Sequence, residues 1–406
     1  VEVIMAVTLA EIILLGVLVD WVFRKMHIPG LVGMLLLGVV LGPAVLGLMS
    51  PEMAAISADL RLIALIVILL RAGFELSRKA LARVGRMALL LSFVPATLEA
   101  ATVTALGPRF LGLTYLESAM LGTVLGAVSP AVVVPLMLKL IEERRGVKKG
   151  IPTLLLAASS IDDVFVIVIY SVLCGFYVGR SPNLAWKIAG IPLSIIVGIG
   201  VGILIGMLLY RLFLRFNPRA TKRVLVILGI SVLLVRIEHL TEDVVPFASL
   251  LAVMAIGYII LEKQERMAHE ISAKLAKIWV FAEILLFTLV GAQVDVRVAV
   301  EAGLAGSAVI LLALAARSIG AYLCCLGSDL TVKERLFVVV AYIPKATVQA
   351  AIGGTALMMM KNAGMPTAPG EIILATAVLS IVLTAPTGAW AISYCGEKWL
   401  PVDKNK

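Results

Sequence analysis

Apolar residues in this chain run in blocks of about 20, set apart by short connections rich in charge, glycine and proline. A helix of that length crosses a hydrocarbon core of roughly 30 Å. About thirteen such segments are expected, near 4–23, 28–49, 58–77, 86–106, 116–141, 150–178, 186–213, 222–240, 245–261, 275–295, 300–326, 334–360 and 370–395. They leave no room for a soluble domain, so the expected fold class is an all-α polytopic membrane protein with residues 1–406 forming a single transmembrane domain. The first block carries Glu11 and Asp20 and no small-residue cleavage site, which reads as a retained span and not a signal peptide.

Composition agrees: 61% of the 406 residues are hydrophobic and 15% charged, with a mean hydropathy of +1.07, outside the range of soluble domains. A net charge of +9 raises the question of nucleic acid, but the basic residues form no single face. Most fall in alternate connections, among them Arg24 and Lys25, Arg144 to Lys149, Arg211 to Arg223, and the C-terminal Lys398, Lys404 and Lys406. The positive-inside rule then places the N-terminus outside and the C-terminus in the cytoplasm, and the missing targeting extension points to a plasma (inner) membrane. Cys174, Cys324, Cys325 and Cys395 make no CxxC pair, and His27, His239 and His269 lie far apart, so no cofactor or histidine metal cluster is expected.

Two segments carry proline at mid-membrane. GAVSPAVVVP holds Pro130 and Pro135; AYIPKATVQAAIGG holds Pro344, with Gly353 and Gly354 behind it. One such proline would read as a kink. Two at matched positions predict discontinuous helices, because Pro130 and Pro344 have nearly the same separation as Glu99 and Arg317. Residues 4–178 and 222–395 then pair as halves of opposite orientation, with 186–213 as a linker helix, the arrangement that places a midplane site in secondary transporters. The run GIGVGILIG at 198–206 reads as a surface for close helix packing or a dimer contact.

Asp162 and Asp163 lie inside the apolar run 151–178. A charge there costs roughly 2.5–3.5 kcal/mol on insertion scales, so the pair calls for a cavity, a counter-charge or an exchangeable proton. Consecutive helical residues point about 100° apart, so the two should have different roles. Hard cations such as Na⁺ or Li⁺ favour oxygen ligands, available from Asp163, Asp162, Ser160, Ser159, Ser129, Thr347 and carbonyls freed at the breaks. The competing reading of the aspartates is a structural ion pair with Lys345 or Arg317, and that of Ser159 and Ser160 is bonding to their own helix. Glu99 is the expected partner of Arg317. For Lys345 two roles stand: neutralising the carbonyls of a half-helix end, or titrating. Arg71 and Lys139, nearer span ends, are expected to snorkel.

The segments LLRAGFEL at 69–76, GAVSPAVVVPLML at 126–138, KKGIPTLLLAASSIDD at 148–163 and IPKATVQAA at 343–351 resemble those of the cation:proton antiporter superfamily, in particular its NHA-type sodium/proton exchangers. The resemblance implies crossed broken helices in a core domain, a dimerisation domain, a homodimer and elevator-like alternating access. It makes Asp163 the main ion- and proton-binding carboxylate, Asp162 its partner, and Glu99 the partner of Arg317. Arg317 replaces a lysine of electrogenic relatives, which implies electroneutral exchange. The expected activity is therefore antiport of Na⁺ or Li⁺, with K⁺ second, against protons in a lipid membrane. Other readings are a sodium-coupled solute symporter or a cation channel on the same fold. An intramembrane aspartyl protease would need its aspartates on separate, facing helices.

Overall fold

Lipid offers no hydrogen-bond partners, so apolar blocks of this length satisfy their backbone groups internally. The computed structural model describes residues 5–403 apart from 27, 44, 77, 180–183, 242–246, 294 and 295. Its helices are α1 (Met5–Lys25), α2 (Gly30–Leu41), α3 (Pro51–Glu75), α4 (Arg78–Phe110), α5 (Tyr115–Gly126), α6 (Pro130–Glu142), α7 (Ile151–Tyr177) and α8 (Leu184–Phe216). They continue with α9 (Ala220–Thr241), α10 (Ser249–Lys263), α11 (Glu265–Ala292), α12 (Val296–Cys324), α13 (Val332–Ala341), α14 (Thr347–Ile352), α15 (Thr355–Asn362) and α16 (Ala368–Trp399).

Among the described residues nine stretches are long and apolar enough to cross a membrane, with α5 and α6 counted as one. The other expected segments correspond to α2, α9, α10 and the series α13–α15. The span expected at 28–49 is a correction. Its helix stops at Leu41 after 12 residues, where Gly42 turns extended (φ −65°, ψ 168°) ahead of Pro43 and donates back to the Gly38 carbonyl. α12 is also interrupted, at Gly303, whose φ of 57° lies in the left-handed region open to glycine.

The helices sort into two bundles. One, the site bundle, packs α4, α5, α6, α7 and α12–α16 on one another; the other, the scaffold bundle, packs α1–α3 with α8–α11. They meet lightly, through α7 with α8 and α10, α3 with α6, and α2 with α16. In the site bundle, α6 ends beside the C-terminal end of α16, where Lys139 Nζ lies 3.8 Å from Glu397, while α13 begins beside the start of α7, where Lys149 Nζ meets Glu334 at 2.7 Å. The two interrupted helices therefore run in opposite directions.

One end of the site bundle is tied by polar contacts. Arg83 of α4 reaches Asp329 at 2.5 Å and the Lys148 carbonyl at 2.8 Å. Lys148 N–H donates to Asp403 at 2.7 Å, Asp403 N–H to the Arg144 carbonyl at 2.8 Å, and Gly146 N–H to the Pro401 carbonyl at 3.1 Å. The segment after α16 is thus fastened to the α6–α7 connection.

The glycine run at 198–206 packs within the chain. Gly198 and Gly202 of α8 abut the carbonyls of Ala248 and Ala252, and Gly206 the backbone of Ile256, so α8 lies directly on α10. Gly200, on the opposite face, has nothing near it among the described residues. Gly202→Ala is expected to lower unfolding stability in detergent by about 1–3 kcal/mol, because its Cβ would overlap the Ala252 carbonyl. Gly200→Ala should leave the melting temperature unchanged or raise it, since alanine is the better helix former by about 1 kcal/mol; equal melting temperatures for the two variants would contradict the α8–α10 packing.

Candidate ion-binding site at the crossing of two broken helices

Each interrupted helix begins with the same device. Thr114 and Glu117 form a capping box at the start of α5, and Thr331 and Glu334 form one at the start of α13. Each first half then ends deep in the bundle. Ala127 is extended after α5, and the residue before a proline disfavours the helical region, so the chain re-enters a helix only with Pro130 at the first turn of α6. After α13 the chain passes through Ile343, Pro344 and Lys345 before α14 opens at Thr347.

The breaks cross one another. Ser129 N–H donates to the Pro344 carbonyl at 2.9 Å. The carbonyls left open at the C-terminal end of α5 each receive a side chain from the other half of the protein. Gln349 Nε2 donates to Val124 and Ala127, both at 3.0 Å, Lys345 Nζ to Leu125 at 2.5 Å, and Arg317 Nη1 to Gly126. Arg317 Nε also donates to the Tyr342 carbonyl at the end of α13, 2.7 Å away. One guanidinium therefore closes both half-helix ends, where unpaired carbonyls and the helix dipole favour positive charge.

Two cations this deeply buried need anions. Glu99 of α4 accepts from Arg317 Nη1 at 2.7 Å and Lys345 Nζ at 2.6 Å, and all three side chains are at most 1% exposed. Asp162 adds a second carboxylate: its Oδ2 accepts from Val128 N–H, inside the first break, at 2.6 Å, and lies 3.5 Å from Arg317 Nη2. Arg317, Lys345, Glu99 and Asp162 thus form a neutral set of four.

Asp163 stands outside that set. It is buried, at 8% exposure, and its Oδ1 has no hydrogen-bond partner among the described residues. Asp162 Oδ1 is likewise unpartnered, so both aspartates present a free oxygen in the membrane interior. Ser159 and Ser160, one turn earlier on α7, both donate to the Leu156 carbonyl, at 3.4 and 3.0 Å, and Ser160 also meets Met254 of α10 at 3.1 Å. Back-bonding therefore occurs, and it uses the hydroxyl protons while leaving oxygen lone pairs. Ser129 is buried at the start of α6. The side chain of Thr347 lies outside the described residues.

The expected pairing of Glu99 with Arg317 is present, and Lys345 meets a half-helix carbonyl as one of its two readings required. The structural ion-pair reading applies to Asp162, through Arg317. Arg71, 13% exposed, reaches Glu142, 64% exposed, at 2.9 Å near the ends of α3 and α6, and Lys139 is half exposed. Sequence reasoning missed the Lys345–Glu99 contact, and also Gln349 and Thr384, whose Oγ1 accepts from Lys345 N–H at 2.9 Å. The signal for Gln349 was an amide in an apolar segment just after a break. The matched starts of the two interrupted helices were signalled by the repeated Thr-x-x-Glu.

A helical membrane protein with crossed, interrupted helices and buried carboxylates at the crossing has the architecture of a secondary transporter. The chain belongs to the sodium/hydrogen exchanger transmembrane family, whose model matches residues 11–392. It is 35% identical over 370 residues to sodium/hydrogen exchanger 9B2 of Xenopus tropicalis, covering 86% of this chain and 65% of that protein. It is 31% identical over 354 residues to sodium/hydrogen exchanger 9B1 of Homo sapiens, covering 85% and 67%. The chain thus spans about 65% of the length of the relative first matched. Its fold is similar to that of the sodium proton antiporter MjNhaP1 of Methanocaldococcus jannaschii, with a TM-score of 0.74, 23% identity, and coverage of 96% of this chain and 97% of that one.

The four-charge set and Asp163 should respond differently to mutation. Glu99→Gln leaves two buried cations short of an anion and is expected to lower stability by about 3–5 kcal/mol. Asp163→Asn removes no protein partner and should melt within a few degrees of wild type. Thermal unfolding in detergent, followed by tryptophan fluorescence, checks both.

Proposed function

We propose that this chain is a secondary active antiporter exchanging Na⁺ or Li⁺, with K⁺ second, for protons, and that Asp163 is the group over which the two compete. The observation that carries this reading is the charge balance at the crossing. Arg317 and Lys345 are matched by Glu99 and Asp162, so an ionised Asp163 is the surplus charge, with a free oxygen. An uncompensated carboxylate in the membrane interior is costly. Either a proton or a cation relieves that cost, and each excludes the other.

Asp163, the free Oδ1 of Asp162, and the oxygens of Ser159, Ser160, Ser129 and Thr347 supply the hard donors a small monovalent cation takes up as it loses water. The Asp163 carboxylate oxygens then hold a proton for the return step. Since the loaded forms are neutral at Asp163 and the empty form is not, only loaded forms cross, which couples the two flows. Arg317 remains charged throughout, and Lys345 stays held by Glu99 and Leu125, so one cation exchanges for one proton without net charge movement.

The light contact between the bundles supports an elevator motion in which the site bundle slides against the scaffold bundle. In this reading residues 4–178 and 222–395 are the inverted halves, 186–213 the linker, and the scaffold carries the contacts of a homodimer within the lipid. The N-terminus is outside and the C-terminus cytoplasmic in a plasma (inner) membrane, and the protein is a transporter, not an enzyme.

Proteoliposomes holding a lumenal pH dye test the exchange. Adding Na⁺ or Li⁺ should change lumenal pH with wild type, and Asp163→Asn should abolish the response. Competition at one carboxylate further requires the apparent KM for Na⁺ to rise by about tenfold per pH unit on the acidic side of the Asp163 titration. A response needing an organic solute, or cation flux with no proton movement, would replace antiport by symport or a channel. A clamped membrane potential should leave the rate unchanged; acceleration by potential would overturn one-for-one stoichiometry.

A further inference from the structure

Between the bundles, at the end where α1, α6 and α16 terminate, lies a cavity of about 580 Å³. The scaffold bundle contributes Arg24, Arg71 and Glu283 to its wall, and the site bundle Lys139, Glu142 and Glu397. Three carboxylates face three cations there, but the pairs are not equivalent. Arg24 pairs with Asp20 at 2.8 Å, both on α1. Lys139 pairs with Glu143 at 3.5 Å and Glu397 at 3.8 Å, all in the site bundle. Neither pair resists relative motion of the bundles.

Arg71–Glu142 differs. Among the ion pairs between described residues it is the one that joins the bundles, running from α3 to α6. Sliding of the site bundle carries Glu142 away and leaves Arg71, 13% exposed, without its anion. Glu283 sits on α11, packed beside α3 in the same bundle, lines the same cavity and lies within Coulombic reach of Arg71 and Arg24. It makes no ion pair of its own among the described residues. Arg71 Nε, moreover, is buried and unpartnered, so the guanidinium has a donor that Glu142 does not use.

We propose that Arg71 is a positioning residue that exchanges carboxylates during transport, holding Glu142 in the state seen here and Glu283 when the site bundle has moved. The inference rests on the moving-bundle reading above. Because Arg71 has an anion in both states, neither leaves this partly buried cation unpaired, and the balance between states is set by the difference between the two pairings and not by the whole cost of an unpaired charge. Glu142, 64% exposed, is the weaker holder; Glu283 is the fixed one.

Ser393 of α16 lines the cavity, and its accessibility reports the state seen here. With Cys174, Cys324, Cys325 and Cys395 replaced, Ser393→Cys is labelled in the purified full chain with an uncharged polyethylene-glycol maleimide. Glu142→Gln removes the cross-bundle pair and should slow labelling by about two- to fivefold, the range for a partly exposed ion pair. Adding Glu283→Gln to Glu142→Gln removes the alternative pairing and should restore the rate to near wild type. Glu397→Gln, which breaks a pair internal to the site bundle, should change nothing. A double variant as slow as Glu142→Gln, or a Glu397→Gln variant equally slowed, overturns the partner exchange. Wild type that exchanges cations while Glu142→Gln leaves labelling untouched also overturns it, with antiport intact. If wild type exchanges no cation and all variants label alike, the moving-bundle reading itself falls.

Discussion

Helices cut in mid-membrane leave carbonyls that lipid cannot satisfy, and the polar interior of this protein follows from that constraint. The ends of α5 and α13 are closed by Arg317, Lys345 and Gln349. Two cations held there call for two carboxylates, which Glu99 and Asp162 provide. Once the set is neutral, a further ionised group is a surplus, and Asp163 is that group. The breaks are therefore the reason for the buried cations and their two carboxylates, and Asp163 is the buried carboxylate left over when their requirements have been met.

Much of this was legible in the chain because its signals are local or strongly patterned. The apolar blocks gave the helices, Pro130 and Pro344 marked the breaks, and a constant offset paired Glu99 with Arg317. What escaped the reading depended on three-dimensional approach. Lys345 reaches Glu99 only because the broken helices cross, and Arg71 reaches Glu142 because α3 lies against α6. Nothing in the run 28–49 distinguished a 12-residue helix from a full span except Gly42–Pro43, which hydropathy averages away. The matched Thr-x-x-Glu boxes were visible but carried weight only when both proved to open an interrupted helix.

The two bundles divide the labour along chemical lines. Among the described residues every fully buried ion pair belongs to the site bundle, whose loops are cross-tied by Arg83, Lys149 and Asp403. The scaffold is held by apolar packing and by glycine contacts such as those of α8 on α10. Charges brace the site bundle at its centre and at one end, whereas its polar contacts with the scaffold among the described residues are few and include Arg71–Glu142 and Ser160–Met254.

The fastening of Pro401 and Asp403 to the α6–α7 connection has a practical corollary. Residue 403 is anchored to the site bundle, whereas α1 belongs to the scaffold. One polypeptide thus presents an attachment point on each bundle, and the separation between the two is a built-in ruler. A pair of fluorophores, one on α1 and one at residue 403, would read the relative position of the bundles in a native membrane without altering Asp162 or Asp163.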